Sequence, residues 1–229
     1  MGLIFARGGS KGLPNKNILK LGDKELIAWS ISQALEVDRL SRVIVSTDSD
    51  EIASIALKYG AEVPFIRPKE LAQDDSPEWL SWRHALSYLE SASGVLPDAM
   101  VSIPTTSPLR QVKDIENCID LFNEGGSDVI ITITDANRSP YFNMVEYCDD
   151  GAVKLVIPPN AYVGRRQDSP SVFDITTVCY VASSTFVMTK EAIFDGRVRA
   201  VYVPKERALD IDTPYDFKVA QSFLVDRDF

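Results

Sequence analysis

Three glycines, two lysines and an arginine fall within eleven positions near the start of the chain, as Arg7-Gly8-Gly9-Ser10-Lys11-Gly12 followed by Pro14, Lys16 and Asn17. Glycine lets backbone N–H groups close on phosphate oxygens. Arg7, Lys11 and Lys16 can neutralise a triphosphate and the charge that builds at an attacked phosphorus. The spacing fits neither the GxxxxGK[ST] of a P-loop nor the GxGxxG of a dinucleotide site. A solvated surface turn would explain the lysines alone. The bend's position directly after a first apolar run, Leu3 to Ala6, favours phosphate binding with transfer chemistry.

Near the other end, Arg207-Ala208-Leu209-Asp210-Ile211-Asp212-Thr213-Pro214 places two carboxylates two residues apart. On an extended segment such residues face the same side, so Asp210 and Asp212 can aim at one magnesium ion that also takes phosphate oxygens. The competing role is helix capping, open to Thr213 or Asp212. Two further loops mix hydroxyls, a guanidinium and prolines: Arg67-Pro68 with Asp74 and Asp75, and Pro104-Thr105-Thr106-Ser107-Pro108-Leu109-Arg110. The second can present Thr106, Ser107 and Arg110 to a polyhydroxylated acid, while Ser107 would equally cap a helix beginning near Gln111. His84, the only histidine, falls mid-helix on what reads as the polar face and is not expected to act. Trp79, Trp82 and Leu86 have the spacing of a helix packing face.

These residues need elements to hold them. Apolar runs alternate with helical patterns: Leu3 to Ala6 then Leu26 to Leu35, Val43 to Val45 then Ile52 to Tyr59, Val63 to Ile66 then Trp79 to Leu89, Ala99 to Ile103 then Val112 to Phe122, and then Asp128 to Thr134. Such alternation predicts crossover units and a mainly parallel, doubly wound α/β sheet, with ligands at the carboxyl ends of the strands. Asp48 or Ser49 can cap the second helix, Gly60 can end it, and Pro77 suits the first turn of the third. From about residue 138 to 171 the text becomes aromatic and proline-rich, with Asp149-Asp150-Gly151 as a hairpin turn. It reads as an insert in a single domain spanning 1–229. Strand text resumes at Val178 to Ala182 and Val198 to Val203, and Thr213-Pro214 opens a last helix.

The totals exclude more than they assign. A chain of 229 residues, 45% hydrophobic and 25% charged, has the composition of an ordinary globular protein. A net charge of −9 argues against binding nucleic acid or anionic membranes through a general basic surface. Three cysteines, Cys118, Cys148 and Cys179, make an odd count without zinc-type spacing and read as reduced thiols. The apolar run before Arg7 is too short for a signal peptide, and a cytoplasmic protein is expected.

The segments ARGGSKGLPNKN, VSTDSDEIA, RPKELAQD, TTSPLR and ALDIDTPYDF together resemble the acylneuraminate cytidylyltransferases, with a match running from end to end. The resemblance implies a Rossmann-like nucleotidyltransferase fold and an enzyme that joins CTP and a 3-deoxy-2-keto acid sugar into a CMP-sugar and pyrophosphate, with Mg2+. It implies that Arg7 and Lys16 contact the nucleotide phosphates in a loop with Gly8 and Gly9, and that Ser10 and Asn17 help to hold them. Arg67 would lie near the cytosine, with Asp74 in the same nucleotide site, and Asp210 and Asp212 would match the metal-binding DxD. The catalytic set is then Arg7, Lys16 and Asp212. The insert resembles the arm through which two such subunits embrace, so a homodimer is implied, and Arg165, Arg166 and Gln167 resemble the stretch brought to the sugar.

This chain departs from sialate-specific members in two places. It has Ser102-Ile103-Pro104-Thr105-Thr106-Ser107-Pro108 where they carry LLQPTSPLR, with proline in the glutamine's place, and Phe173-Asp174-Ile175-Thr176-Thr177 where they show an FRPNG-like segment. Losing an amide and a guanidinium while gaining a carboxylate changes which sugar substituents are tolerated. N-acylneuraminate is therefore the parent class, with legionaminate and pseudaminate beside it and keto-deoxyoctulosonate behind. A nucleotide-sugar-dependent glycosyltransferase normally has its DxD after a middle strand, and a neutral-sugar nucleotidyltransferase would not share ARGGSKG.

Overall fold

The computed structural model describes residues 1–158 and 164–225. Its elements are strands β1 (Gly2–Phe5), β2 (Lys20–Leu21), β3 (Lys24–Glu25), β4 (Val43–Ser46), β5 (Ala99–Ser102), β6 (Val129–Asp135), β7 (Val145–Tyr147), β8 (Val153–Leu155), β9 (Phe173–Ser183) and β10 (Val198–Tyr202). The helices are α1 (Leu26–Leu35), α2 (Asp50–Lys58), α3 (Glu78–Ser93), α4 (Val112–Asn123), α5 (Ser184–Thr189) and α6 (Pro214–Val225). Six strands form one sheet in the order β10-β6-β9-β5-β1-β4. Neighbours run parallel except β9, which lies antiparallel between β5 and β6.

Alternate strand residues point to opposite faces, and both faces are covered by helices, so the strands are apolar throughout. Ile4, Val43, Val45 and Val101 pack on α1, α2 and α4 through Ile27, Ile31, Ile52, Ile115 and Cys118. Leu3, Ile44 and Met100 face the other way, onto Trp79, Trp82 and Leu86 of α3 and Phe186 of α5. The tryptophans are thus core, as their spacing predicts. A third cluster joins Leu21, Leu26 and Ile211 to Ala220 of α6, seating the last helix beside the β2–β3 hairpin.

Local signals set several helix ends. Ser49 caps α2 by accepting from Ile52 N at 3.4 Å, with Asp50 and Glu51 in the first turn. Thr213 and Asp216 bond reciprocally ahead of α6: Asp216 Oδ2 accepts from Thr213 N at 2.8 Å, and Thr213 Oγ1 accepts from Asp216 N at 3.3 Å. The cap therefore falls to Thr213, not Asp212. Helix α4 starts from Gln111, which with Asp114 forms a capping box, so Ser107 does not cap it.

Two strand expectations need correction. Val63 to Ile66 is not a strand: Glu62 makes one bridge to Ile44, and Arg67 N next reaches Thr47 O at 2.7 Å. Between them Pro64 has no N–H to give to a ladder. The expected strand at Val178 instead begins at Phe173, and a register shift against β6 between Ile130 and Thr132 bends it. Thr132 Oγ1 bridges that irregularity, donating to Thr176 O and Cys179 O.

The Asp149-Asp150-Gly151 turn joins β7 to β8, with Gly151 at φ +83°. Phe142, Met144, Val145, Tyr147, Val153 and Ile157 are exposed on this insert. Residues 159–163 of the expected arm lie outside the described residues. No helix among the described residues is long and apolar enough to cross a membrane.

Candidate active site

The loops after β1 and β5 and the segment between α2 and α3 meet the extended segment after β10 at the carboxyl edge of the sheet, enclosing two contiguous cavities. One, of about 350 Å³, is lined by Ser10, Lys11, Gly12, Lys16 and Asn17 of the glycine-rich loop. The other, of about 380 Å³, runs on past Arg67, Asp74, Glu78, Ser81, Tyr180 and Asp210. Phe5, Arg7, Thr105, Thr106 and Asp212 line both. The basic loop and the acidic pair, far apart in sequence, share one cleft.

The loop is held by bonds from three directions. Gly8 N donates to Asp48 Oδ1 at 2.9 Å, Asn17 Nδ2 to Arg7 O at 3.0 Å, and Thr105 Oγ1 to Asn17 Oδ1 at 2.6 Å. Lys16 Nζ donates to Ile211 O at 2.7 Å and pairs with Asp212 Oδ1 at 2.8 Å. Ile211 N donates to Thr106 O at 2.8 Å, so the loop after β5 joins the first loop to the acidic segment. Gly12 touches that segment so closely that an added Cβ would lie 2.5 Å from Asp212 O.

Asp74 bridges two cations, 2.6 Å from Arg7 and 2.8 Å from Lys11. The Lys11 and Arg7 hydrogen bonds hold its carboxyl below the ordinary range. It is thus the counterion of the loop. Arg67 is buried; Nη1 donates to Ser81 Oγ at 3.1 Å, and burial draws its guanidinium down from the usual range. Buried charges keep such partners because an unpaired one is costly.

Asp210 and Asp212 flank the buried Ile211, and both border the larger cavity. Burial raises the Asp210 carboxyl, with Asp212 adding to the rise and a Thr106 hydrogen bond opposing it. Asp210 Oδ1 is buried without a hydrogen-bond partner. An orphaned carboxylate oxygen beside a second carboxylate suits a hard divalent cation whose remaining ligands come from phosphate or water. Among the described residues no cluster of three acidic, histidine or cysteine side chains offers a complete metal cage.

Several sequence-based expectations do not survive as contacts. Arg110 is buried and turned away from the cleft: Nη1 donates to Ser30 Oγ at 2.9 Å and to Gln33 Oε1 at 3.2 Å, and Nη2 donates to Pro104 O. Burial lowers its guanidinium to about 10, so it is still cationic at neutral pH. Ser107 is also buried, its Oγ 2.8 Å from Thr177 Oγ1. Both brace the loop from behind and cannot present polar atoms to a sugar. Thr106 does line the cleft, with Oγ1 donating to Thr177 Oγ1 at 3.0 Å.

Arg166 and Gln167 line a separate cavity of about 610 Å³ with Asp135, Ser139 and Lys205, while Arg165 pairs with Asp168 at 3.0 Å. The structure does not bring these three to the cleft of their own chain. His84 is half-buried, not on an open polar face; its ring meets Phe65 edge-on at 5.1 Å, and its Nδ1 has no partner.

Sequence reasoning assigned no site role to Glu78 and Tyr180, read Asp48 only as a cap candidate, and named Thr177 only within the Phe173–Thr177 segment that departs from sialate-specific members. Asp48 had a signal, since it follows a strand on the crevice side. Glu78 had a weaker one, in the first turn of a helix beginning beside that crevice. Thr177 and Tyr180 reach the cleft only because β9 inserts antiparallel, and nothing in their spacing announces that.

Known proteins resemble this chain along nearly its whole length. The family described as cytidylyltransferase matches residues 1–223. A Campylobacter coli protein named post-translational flagellin modification protein B is 36% identical, covering 97% of this chain and 93% of its own. The CMP-N,N'-diacetyllegionaminic acid synthase of Campylobacter jejuni subsp. jejuni serotype O:2 is also 36% identical with the same coverage. Among solved structures, a CMP:2-keto-3-deoxy-manno-octonic acid synthetase complexed with CTP has the same fold, with a TM-score of 0.72 at 15% identity, covering 99% of this chain and 98% of that one.

Proposed function

Since the chain belongs to the cytidylyltransferase family and is a nucleotidyltransferase, we propose that it transfers the CMP unit of CTP to the anomeric hydroxyl of a nonulosonic acid, releasing pyrophosphate. The acceptor class is N-acylneuraminate and its relatives, with N,N'-diacetyllegionaminate the member named by a 36% identical relative. The observation that carries the reading is the meeting of Arg7, Lys16, Asp210 and Asp212 around one cleft.

The anomeric hydroxyl oxygen forms a bond to the α-phosphorus as the bond from that phosphorus to the α–β bridging oxygen breaks; the hydroxyl proton passes to solvent, and the electron pair of the broken bond leaves with pyrophosphate. Charge grows on phosphate oxygens, so fixed cations and positioning supply most of the acceleration. Arg7 and Lys16 face those oxygens. Lys11 joins them as the triphosphate displaces Asp74 from its two cations, an exchange of one anion for another. The backbone of Gly8 and Gly9 and the side chains of Ser10 and Asn17 shape the loop around the phosphates. Asp210 and Asp212 would hold Mg2+, which when bound supplies charge neutralisation at the phosphates.

Arg165, Arg166 and Gln167 lie away from their own cleft, which fits a homodimer in which each insert serves the partner's site. The exposed apolar side chains of the insert, with Tyr147 at 85% exposure, suit such an interface. The cytoplasm, which supplies CTP and keeps thiols reduced, is the proposed compartment; all three cysteines are free. The reaction is tested by measuring pyrophosphate release with each of the four triphosphates against a panel of nonulosonic acids. Release with CTP and at least one such acid is expected, and no release with any combination would sink the reading. Light scattering on the same sample should report twice the 25.4 kDa chain mass.

A further inference from the structure

The side chain of Asp210 is held by hydroxyls from two other elements. Strand β5 ends at Ser102, opposite Tyr180, so the stretch of β9 before Tyr180 runs past the end of that strand. On that side it meets the loop after β5 instead of a ladder partner. Thr177 is placed there, half-buried in the lining of the cleft, against Thr106 and Ser107. It closes the segment in which this chain departs from sialate-specific members.

Thr177 Oγ1 is the junction of the cluster. It accepts from Thr106 Oγ1 at 3.0 Å and lies 2.8 Å from Ser107 Oγ, where either oxygen can donate. The Asp210 carboxyl is within hydrogen-bond reach of the Thr106 and Thr177 hydroxyls. Each hydroxyl has one proton to give and two lone pairs to fill. Thr106 therefore has one proton for two acceptors, Thr177 and Asp210. Ser107 is buried, so its hydroxyl stays on Thr177 instead of turning to water. Whichever way Thr106 turns, Thr177 is supplied from Ser107 and keeps its own proton for Asp210. The backbone is tied at the same place, since Ile211 N donates to Thr106 O at 2.8 Å. The carboxylate is thus held from the protein side while its Oδ1 completes no bond.

We propose that Thr177 is a positioning residue for the cation site: its hydroxyl, supplied by Ser107 and Thr106, orients the Asp210 carboxylate so that Oδ1 is left to a divalent cation. The inference rests on Asp210 and Asp212 forming that site. Outer partners of this kind fix the orientation of a metal ligand, and losing one costs about 10- to 100-fold in metal affinity.

The test compares the wild type with Thr177→Val, which keeps the shape without the hydroxyl, and Thr177→Ser, which keeps the hydroxyl. Mn2+ titration of nucleotide-free protein, read by loss of the free-ion EPR signal, gives the affinity without turnover. Thr177→Val should bind Mn2+ about 10- to 100-fold more weakly, and Thr177→Ser within about threefold of the wild type. In turnover, the Mg2+ concentration for half-maximal rate should rise by the same factor in Thr177→Val. Its kcat at saturating Mg2+ should return to within about threefold. A residue that only braced the loop would lower kcat or the thermal midpoint at every Mg2+ concentration.

Equal Mn2+ affinity in the wild type and Thr177→Val overturns the assignment, as does a Thr177→Ser as weak as Thr177→Val or a wild type that takes up no Mn2+. If Thr177→Val fails to fold, Thr177→Ala removes the same hydroxyl without added bulk and carries the comparison. Thr177-dependent Mn2+ uptake in a chain that transfers nothing sinks only the proposed reaction; transfer with Thr177-independent Mn2+ affinity sinks only this inference.

Discussion

Lys16 Nζ lies 2.8 Å from Asp212 Oδ1 and 2.7 Å from the carbonyl oxygen of Ile211, which closes the first loop onto a segment 195 residues further along the chain. The lysine side chain is 12% exposed and the aspartate 68%, so the cation is sheltered while the anion keeps a face open to the cleft. Lys16→Ala should lower kcat about 100- to 1,000-fold, as losing a preorganised charge at the phosphates does. Asp212→Ala should abolish the magnesium dependence of turnover, and the double variant should fall well short of additive loss. Steady-state kinetics across a magnesium titration checks this, and full magnesium-dependent turnover in Asp212→Ala would remove the metal assignment.

Gly12 and Gly9 predict opposite outcomes for one chemical change. A Cβ at Gly12 meets Asp212 O at 2.5 Å, whereas one at Gly9 meets nothing within 4 Å. Gly12→Ala must push loop and acidic segment apart, at about 1–3 kcal/mol, with a raised KM for CTP. Gly9→Ala should match the wild type in thermal midpoint. Equal effects from the two would mean the loop does not pack on Asp212 as described.

Arg110 is a brace, and its removal should register first as lost stability. Arg110→Met orphans Gln33 Oε1 and leaves Pro104 O with only its bond from Ser30 Oγ, and should cost about 2 kcal/mol or more in denaturant unfolding. Arg110→Lys should not rescue, because one ammonium cannot span Ser30, Gln33 and Pro104 as the planar fork does. Unchanged stability together with a selective rise in sugar KM would return Arg110 to the sugar site.

Stability should depend on pH through Glu78 with an unusual sign. Its folded carboxyl is raised, so the native chain binds the proton more tightly than the unfolded chain does. Stability from this group is therefore intact below the ordinary carboxylate range and declines as pH rises through the raised value. Glu78→Gln removes that decline. The variant should melt above the wild type at pH 7, and the gap should close as pH falls toward 4, near the ordinary glutamate value. A gap that widens in acid would reverse the sign of the shift.

Much of the site was readable before any fold was known. The Arg7–Asn17 loop announces itself by composition and by its place after an apolar run, and Asp210 and Asp212 by a spacing of two. What failed to read was direction. Arg110 and Ser107 have the right chemistry for a sugar contact but turn inward, because the loop after β5 needs bonds to Ser30, Gln33 and Thr177 to hold its shape. Val63 to Ile66 reads as a strand by hydropathy, and Pro64 withholds the donor that the ladder needs.

The amino-acid sequence by itself determined the α/β alternation, the narrowing of two helix caps to Asp48 or Ser49 and to Asp212 or Thr213, and the two local motifs, because periodicity and capping depend on residues within one or two turns of each other. Only the tertiary structure decided that β9 runs antiparallel between β5 and β6, and with it the entry of Thr177 and Tyr180 to the cleft. It also decided that Lys16 meets Asp212, and that Glu78 stands against the cleft wall. These outcomes are set by which distant surfaces bury each other, a balance of contacts that no local spacing records.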